Sequence, residues 1–220
     1  QSFALRADRL ITLRTVGIGE SDLQDRIRAI ALPPSVQLGY RAEVGEVQVK
    51  LLFPATFSEG ERIKLTERFA ASIGEPVYAI DDSNSSSDSL SMPVVIDRLI
   101  QSKKLSLSLL ETVSSGMASA RLSGVAGLKA ALVLPQRADN VYAITPDTNE
   151  SRREWIQVQA AEFRGHYPVD LTLVQMPLAG YPDESVAEKP VMKVITGVIA
   201  RDGCFLRESL LSGSQSRQQH

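Results

Sequence analysis

The run Leu109 to Gly124, LLETVSSGMASARLSG, gathers hydroxyl side chains where a strand-to-helix turn would hold a nucleophile. Leu105, Leu107 and Leu109 alternate with serines at the period of a strand, and Ser114, Ser115 and Gly116 stand before an expected helix over Met117 to Leu122. Backbone N–H groups and hydroxyls at a helix start bind anions, and Thr112 or Ser114 would attack a carbonyl if a base took its proton. Glu111 is the acid that adjoins the turn.

Leu110-Glu111-Thr112-Val113-Ser114-Ser115-Gly116 resembles the AESCTGG turn in the C-terminal domain of the CinA family (competence/damage-inducible protein A), a domain that deamidates nicotinamide mononucleotide. Glu111 and Gly116 are identities, whereas the family's nucleophilic serine falls on Thr112 and its cysteine on Val113. A threonine hydroxyl carries an extra methyl that crowds its approach and restricts its rotamer. The resemblance also maps the family's later tyrosine and lysine near Pro135 and Asn140, neither of which acts as a base. Arg137, between them, binds charge but does not deprotonate.

The family's TGIAGP loop corresponds to Met176–Pro182, keeping Ala179 and Gly180, and its late GDR falls on Gly213-Ser214-Gln215. The phosphate-clamp arginine is thereby lost unless Arg217 replaces it. The resemblance thus implies catalytic positions at Thr112 and Ser114, degenerate ones at Pro135 and Asn140, and ligand contacts from Glu111, Ser115, Gly116, Arg137, Ala179 and Gly180. It implies a scaffold kept for binding a nicotinamide nucleotide or for homo-oligomeric assembly, with its chemistry dismantled. The alternative is an active amidase that uses Thr112 or Ser114 to release ammonia from the carboxamide. Neither reading needs a cofactor or a metal.

Other reactive side chains have plainer roles. His166 follows an expected helix cap at Gly165 and suits a surface residue at a helix C-terminus; a triad of it with Asp170 and Thr112 or Ser114 is the competing arrangement. Cys204 is the single cysteine and, with only His166 and His220 beside it, gives neither a disulfide nor a zinc ligand set. Trp155 reads as a packing residue on a helix.

The elements that must position the turn form two blocks. Residues 1–80 read as a connection followed by a small α+β unit: a strand from Leu10, a helix with a Ser21/Gln24 capping box, strands Val36–Arg41 and Glu46–Phe53, a helix from Ser58 whose buried stripe includes Ile63, Leu65, Phe69 and Ile73, and a closing strand Val77–Ile80. VGIGESDLQDRI and QLGYRAEVGEVQVKL in this block resemble the middle domain of CinA proteins, likened to KH modules. RNA binding is disfavoured, because Glu20, Asp22, Glu43 and Glu46 repel phosphate.

Residues 81–92, DDSNSSSDSLSM, read as a polar linker whose acids are solvated rather than metal-binding. Residues 93–220 read as an α/β domain with a mixed sheet. In it, Leu128–Leu134 suits a buried strand, Val191–Ala200 a central one, and Asp202-Gly203 a hairpin turn. The chain begins at Gln1 and opens like a continuing connection, so the resemblance implies a preceding molybdopterin-binding-like domain.

A chain of 220 residues, 43% hydrophobic and 23% charged, supports two modest cores. Its formal charge of -2 gives no overall attraction to nucleic acid. No apolar run approaches the roughly 20 residues of a membrane helix, and a cytoplasmic protein is expected.

Overall fold

The computed structural model describes residues 7–43, 45–82, 90–134, 149–177 and 191–212. The chain divides into two compact units, Gln1–Met92 and Pro93–His220. The first contains β1 (Arg9–Val16), α1 (Glu20–Ile27), β2 (Gln37–Glu43), β3 (Glu46–Phe53), α2 (Glu59–Ile73) and β4 (Val77–Asp81). Its strands lie in the order β2-β3-β1-β4, with every neighbouring pair antiparallel. This is a split βαβ arrangement, in which β3 runs between β1 and β2.

Alternation decides which side chains enter the core. Ile11 and Leu13 of β1 and Val49, Leu51 and Phe53 of β3 pack against Leu23 and Ile27 of α1 and Leu65, Phe69 and Ile73 of α2. Ser58 caps α2: its hydroxyl accepts from the Glu61 N–H at 3.3 Å and donates to the Glu61 carboxylate at 2.8 Å.

Three expectations change here. The Ser21/Gln24 box does not form, because α1 starts two residues earlier, capped at Gly19, and Gln24 donates to Glu20 instead, at 3.1 Å. Ile63 leaves the buried stripe and is 49% exposed; two residues before Leu65, it is turned well away from that residue on a helix. Asp81, expected to open the linker, closes β4 opposite Thr12 and is buried, and Asp82 is held by an ion pair with Arg9.

The second unit contains α3 (Met92–Ser102), β5 (Leu107–Glu111), α4 (Met117–Leu122), β6 (Leu128–Val133), α5 (Asn149–His166), β7 (Leu171–Pro177), β8 (Val191–Ile199) and β9 (Cys204–Ser212). Its sheet runs β6-β5-β7-β8-β9, with β5 parallel to β6 and β7 and the β7-β8-β9 stretch antiparallel. The fold class read from the sequence, a small α+β unit followed by an α/β unit with a mixed sheet, is the one that forms.

On one face, Ile156, Ala160 and Phe163 of α5 cover Leu110, Val174, Met176, Ile195 and Ile199. The other carries Leu109 with Leu122, Val125 and the half-buried Ile96 and Leu173. Asp202 and Gly203 fall in the β8–β9 hairpin, where the Ala200 N–H donates to the Gly203 carbonyl at 2.8 Å. Leu128–Val133 is not a buried strand. It is an end strand with one neighbour, and Leu132 and Val133 are 37% and 39% exposed.

Candidate functional site

The β5–α4 turn is built around a buried carboxylate. β5 extends two residues further than the leucine alternation predicts, which places Glu111 at its last position, paired with Gln175 of β7 and inaccessible to solvent. The chain then reverses through Ser114-Ser115-Gly116-Met117. Ser115 and Gly116 have φ of +52° and +94°, and the Met117 N–H donates to the Ser114 carbonyl at 3.0 Å. Two successive positive φ values closed by that bond make a type I′ turn. Glycine suits the second position at no steric cost, whereas Ser115 holds a left-handed conformation that side chains disfavour.

This reversal aims the first N–H groups of α4 back at β5. Glu111 Oε1 accepts from the N–H groups of Gly116 at 2.8 Å and Ala118 at 3.2 Å. Its Oε2 accepts from the Ser119 N–H at 3.0 Å and the Ser119 hydroxyl at 2.7 Å. The Ser114 hydroxyl also bonds to Oε1. The anion expected at this helix start is therefore the chain's own Glu111, acting as a cap from the preceding strand. Burial works to raise its pKa, but the hydroxyls of Ser114 and Ser119 and the N–H groups of Ser119 and Ala118 more than offset it. Together they hold the carboxyl below its ordinary value of 4.5.

Thr112 and Ser114 are engaged as well. Thr112 is 2% exposed and donates both its N–H, at 3.1 Å, and its hydroxyl, at 2.8 Å, to the Gln175 carbonyl. Ser114 is 4% exposed; its N–H donates to Gln175 Oε1 at 3.1 Å, and its Oγ lies 2.8 Å from that same oxygen. A serine hydroxyl has one proton, so it serves Glu111 or Gln175 at a given moment, and the carboxylate is the stronger acceptor. Val113, at the family's cysteine position, is fully buried. Ser115 is exposed and Gly116 half-buried.

The structure thus brings Glu111, Thr112, Ser114, Ser115 and Gly116 together. It adds two residues that the sequence reading missed, Gln175 and Ser119. Ser119 sits within the first turn of α4, where a hydroxyl is a recognisable capping signal. Gln175 reaches the turn only through the parallel register of β5 and β7, for which its own segment carries no sign. Pro135, Arg137, Asn140, Ala179, Gly180 and Arg217 lie outside the described residues.

The competing triad does not assemble. Asp170 accepts from the Ser106 N–H at 2.7 Å and the Ser106 hydroxyl at 2.6 Å, at the start of β7. Gln175 is five residues further along that strand, about 16 Å away at ~3.3 Å per residue. His166 lines a separate cleft of about 180 Å³ with Leu110, Leu132, Gln159, Glu162 and Phe163. Among the described residues no group of three or more His, Cys, Asp or Glu is placed to hold a metal ion, and no helix is long and apolar enough to cross a membrane.

No protein-family model matches the chain. It is 27% identical over 215 residues to a CinA-like protein of Shewanella amazonensis, an alignment that covers 88% of this chain and 46% of that protein. A CinA-like protein of Shewanella frigidimarina is 26% identical over 210 residues, with the same two coverages. A solved CinA superfamily protein from Escherichia coli matches 61% of this chain and 86% of its own at a TM-score of 0.43 and 10% identity. The chain spans about half the length of the curated relatives it matches. The similarity is to proteins described as CinA-like and runs through most of this chain.

Proposed function

We propose that the second unit is an amidase-like domain of CinA type that has lost its catalysis and serves in binding a nicotinamide nucleotide or in assembly. The observation that carries this reading is the occupancy of the turn. Amide hydrolysis needs a nucleophile free to move toward the carbonyl, a base to take its proton, and donors free to receive the oxyanion. Here the Thr112 hydroxyl is committed to a backbone carbonyl, and Glu111 has already taken three N–H groups at the start of α4. A carboxylate held below its ordinary pKa by so many donors is also a weak base.

One contact favours the alternative. The Ser114 hydroxyl donates to Glu111, which is the geometry of a nucleophile beside a base, so a re-specialised amidase would use Ser114 rather than Thr112. An ammonia-release assay with nicotinamide mononucleotide, run beside a thermal-shift titration, separates the two. Stabilisation by the nucleotide without ammonia release is the expected result. Ammonia release that disappears in Ser114→Ala would overturn the reading, as would release that rises in Thr112→Ser from a measurable starting rate.

A further inference from the structure

In the second unit's sheet, α3 and α4 cover only part of one face. Leu109 of β5 and the half-buried Leu173 of β7 lie on that face and pack with Ile96, Ala118, Leu122 and Val125. The next two strands carry the same row outward, because Leu173 pairs with Val198 of β8 and Val198 pairs with Phe205 of β9. Here the cover ends: Val198 is 37% exposed and Phe205 is 68% exposed. Cys204 and Leu206 pack on the opposite face, against α5, so alternation puts Phe205 and Arg207 together on the open one.

A second row runs beside the first, two residues along each strand. Gln175 pairs with Thr196, and Thr196 pairs with Arg207. The turn orients Gln175: its Oε1 accepts from the Ser114 N–H, which leaves Nε2 as the end of the amide that donates elsewhere. Arg207 is exposed and enters none of the ion pairs among the described residues. Neighbouring strands lie ~4.8 Å apart, so the two rows set an open phenyl ring, an amide donor, a hydroxyl and a guanidinium on about 10 Å of one surface. An aromatic side chain on a sheet face stacks a flat ring, and a guanidinium grips an oxyanion through parallel N–H groups. Donors from three strands suit the three terminal oxygens of a phosphate monoester. A single ring and a single cation fit one small molecule rather than a polymer, in a chain whose formal charge is -2. We propose that the open β8–β9 face binds a small molecule in which a flat ring is joined to a phosphate, with the ring against Phe205 and Val198 and the phosphate on Arg207, Thr196 and Gln175. The contacts on β8 and β9 hold whether or not the β5–α4 turn is catalytic.

An NMR titration of the isotope-labelled full chain with phenyl phosphate tests this, with inorganic phosphate as the ring-free control. The side-chain signals of Phe205, Arg207 and Gln175 should move together and saturate, at lower concentrations of phenyl phosphate than of inorganic phosphate. Arg207→Gln should weaken both by about tenfold or more, as for the loss of a charge-assisted contact. Phe205→Ala should bring phenyl phosphate down to the level of inorganic phosphate and leave the latter unchanged. Both residues are exposed, so these substitutions leave the fold in place, which unchanged thermal melts would verify. A phenyl phosphate titration that does not saturate by roughly 10 mM, past the range of a weak specific contact, would overturn the proposal. So would binding indifferent to both variants, or variants that change only the sedimentation of the chain, as expected if the open row contacts another protein surface.

Discussion

Glu111 carries the arrangement of the turn through charge rather than shape. Glu111→Gln would keep the side-chain volume but put an amide among N–H donors, leaving some of them unsatisfied in a buried place. We expect a loss of roughly 2 kcal/mol or more of stability near neutral pH, read from chemical denaturation of the full chain. The pH dependence has a definite sign. A carboxyl whose folded pKa is depressed contributes stability in full above its unfolded pKa and loses it as pH falls through the folded value. The difference between wild type and Glu111→Gln should therefore be constant above the ordinary carboxyl range and narrow only below it. A difference that grew on acidification would show that the glutamate is not held as an anion.

At the scale of elements, the packing of α3 depends on the absence of a side chain at Gly127. A Cβ there would lie 2.2 Å from Ile100 Cγ2 and 3.0 Å from the Leu105 carbonyl oxygen. Gly127→Ala should cost about 1–3 kcal/mol by overpacking, measured by thermal or urea unfolding, and Ile100→Leu in the same chain, which removes the second branch at Cβ, should recover part of it. Elements of this kind were legible in the sequence where their signal is local. The alternation of β1 and β3, the Ser58 cap of α2 and the Asp202-Gly203 hairpin all rest on spacings of a few residues. Strand order was not, because an apolar run such as Leu128–Val133 reads alike for a central strand and an end strand. The turn itself was legible as a hydroxyl-rich strand-to-helix junction, but its occupancy was not. Glu111 reads as a ligand contact until the type I′ reversal turns α4 back upon it, and Gln175 enters from 64 positions away through sheet register alone.

For the whole molecule, relatives such as the Shewanella proteins align along both units, while this chain covers about half their length. The first unit presents an open strand edge and the second a turn closed on its own carboxylate. The central claim is that the N–H donors at the start of α4 are taken by the chain's own carboxylate, Glu111. Carbon-detected NMR of the Glu111 carboxyl in the intact chain, titrated with pH and then with nicotinamide mononucleotide, tests it most directly. The account predicts a pKa below the ordinary glutamate value and a carboxyl resonance that the nucleotide leaves unmoved, because Glu111 stays bound to α4. A carboxyl that titrates at or above its ordinary value, or that shifts as the nucleotide binds, would contradict it.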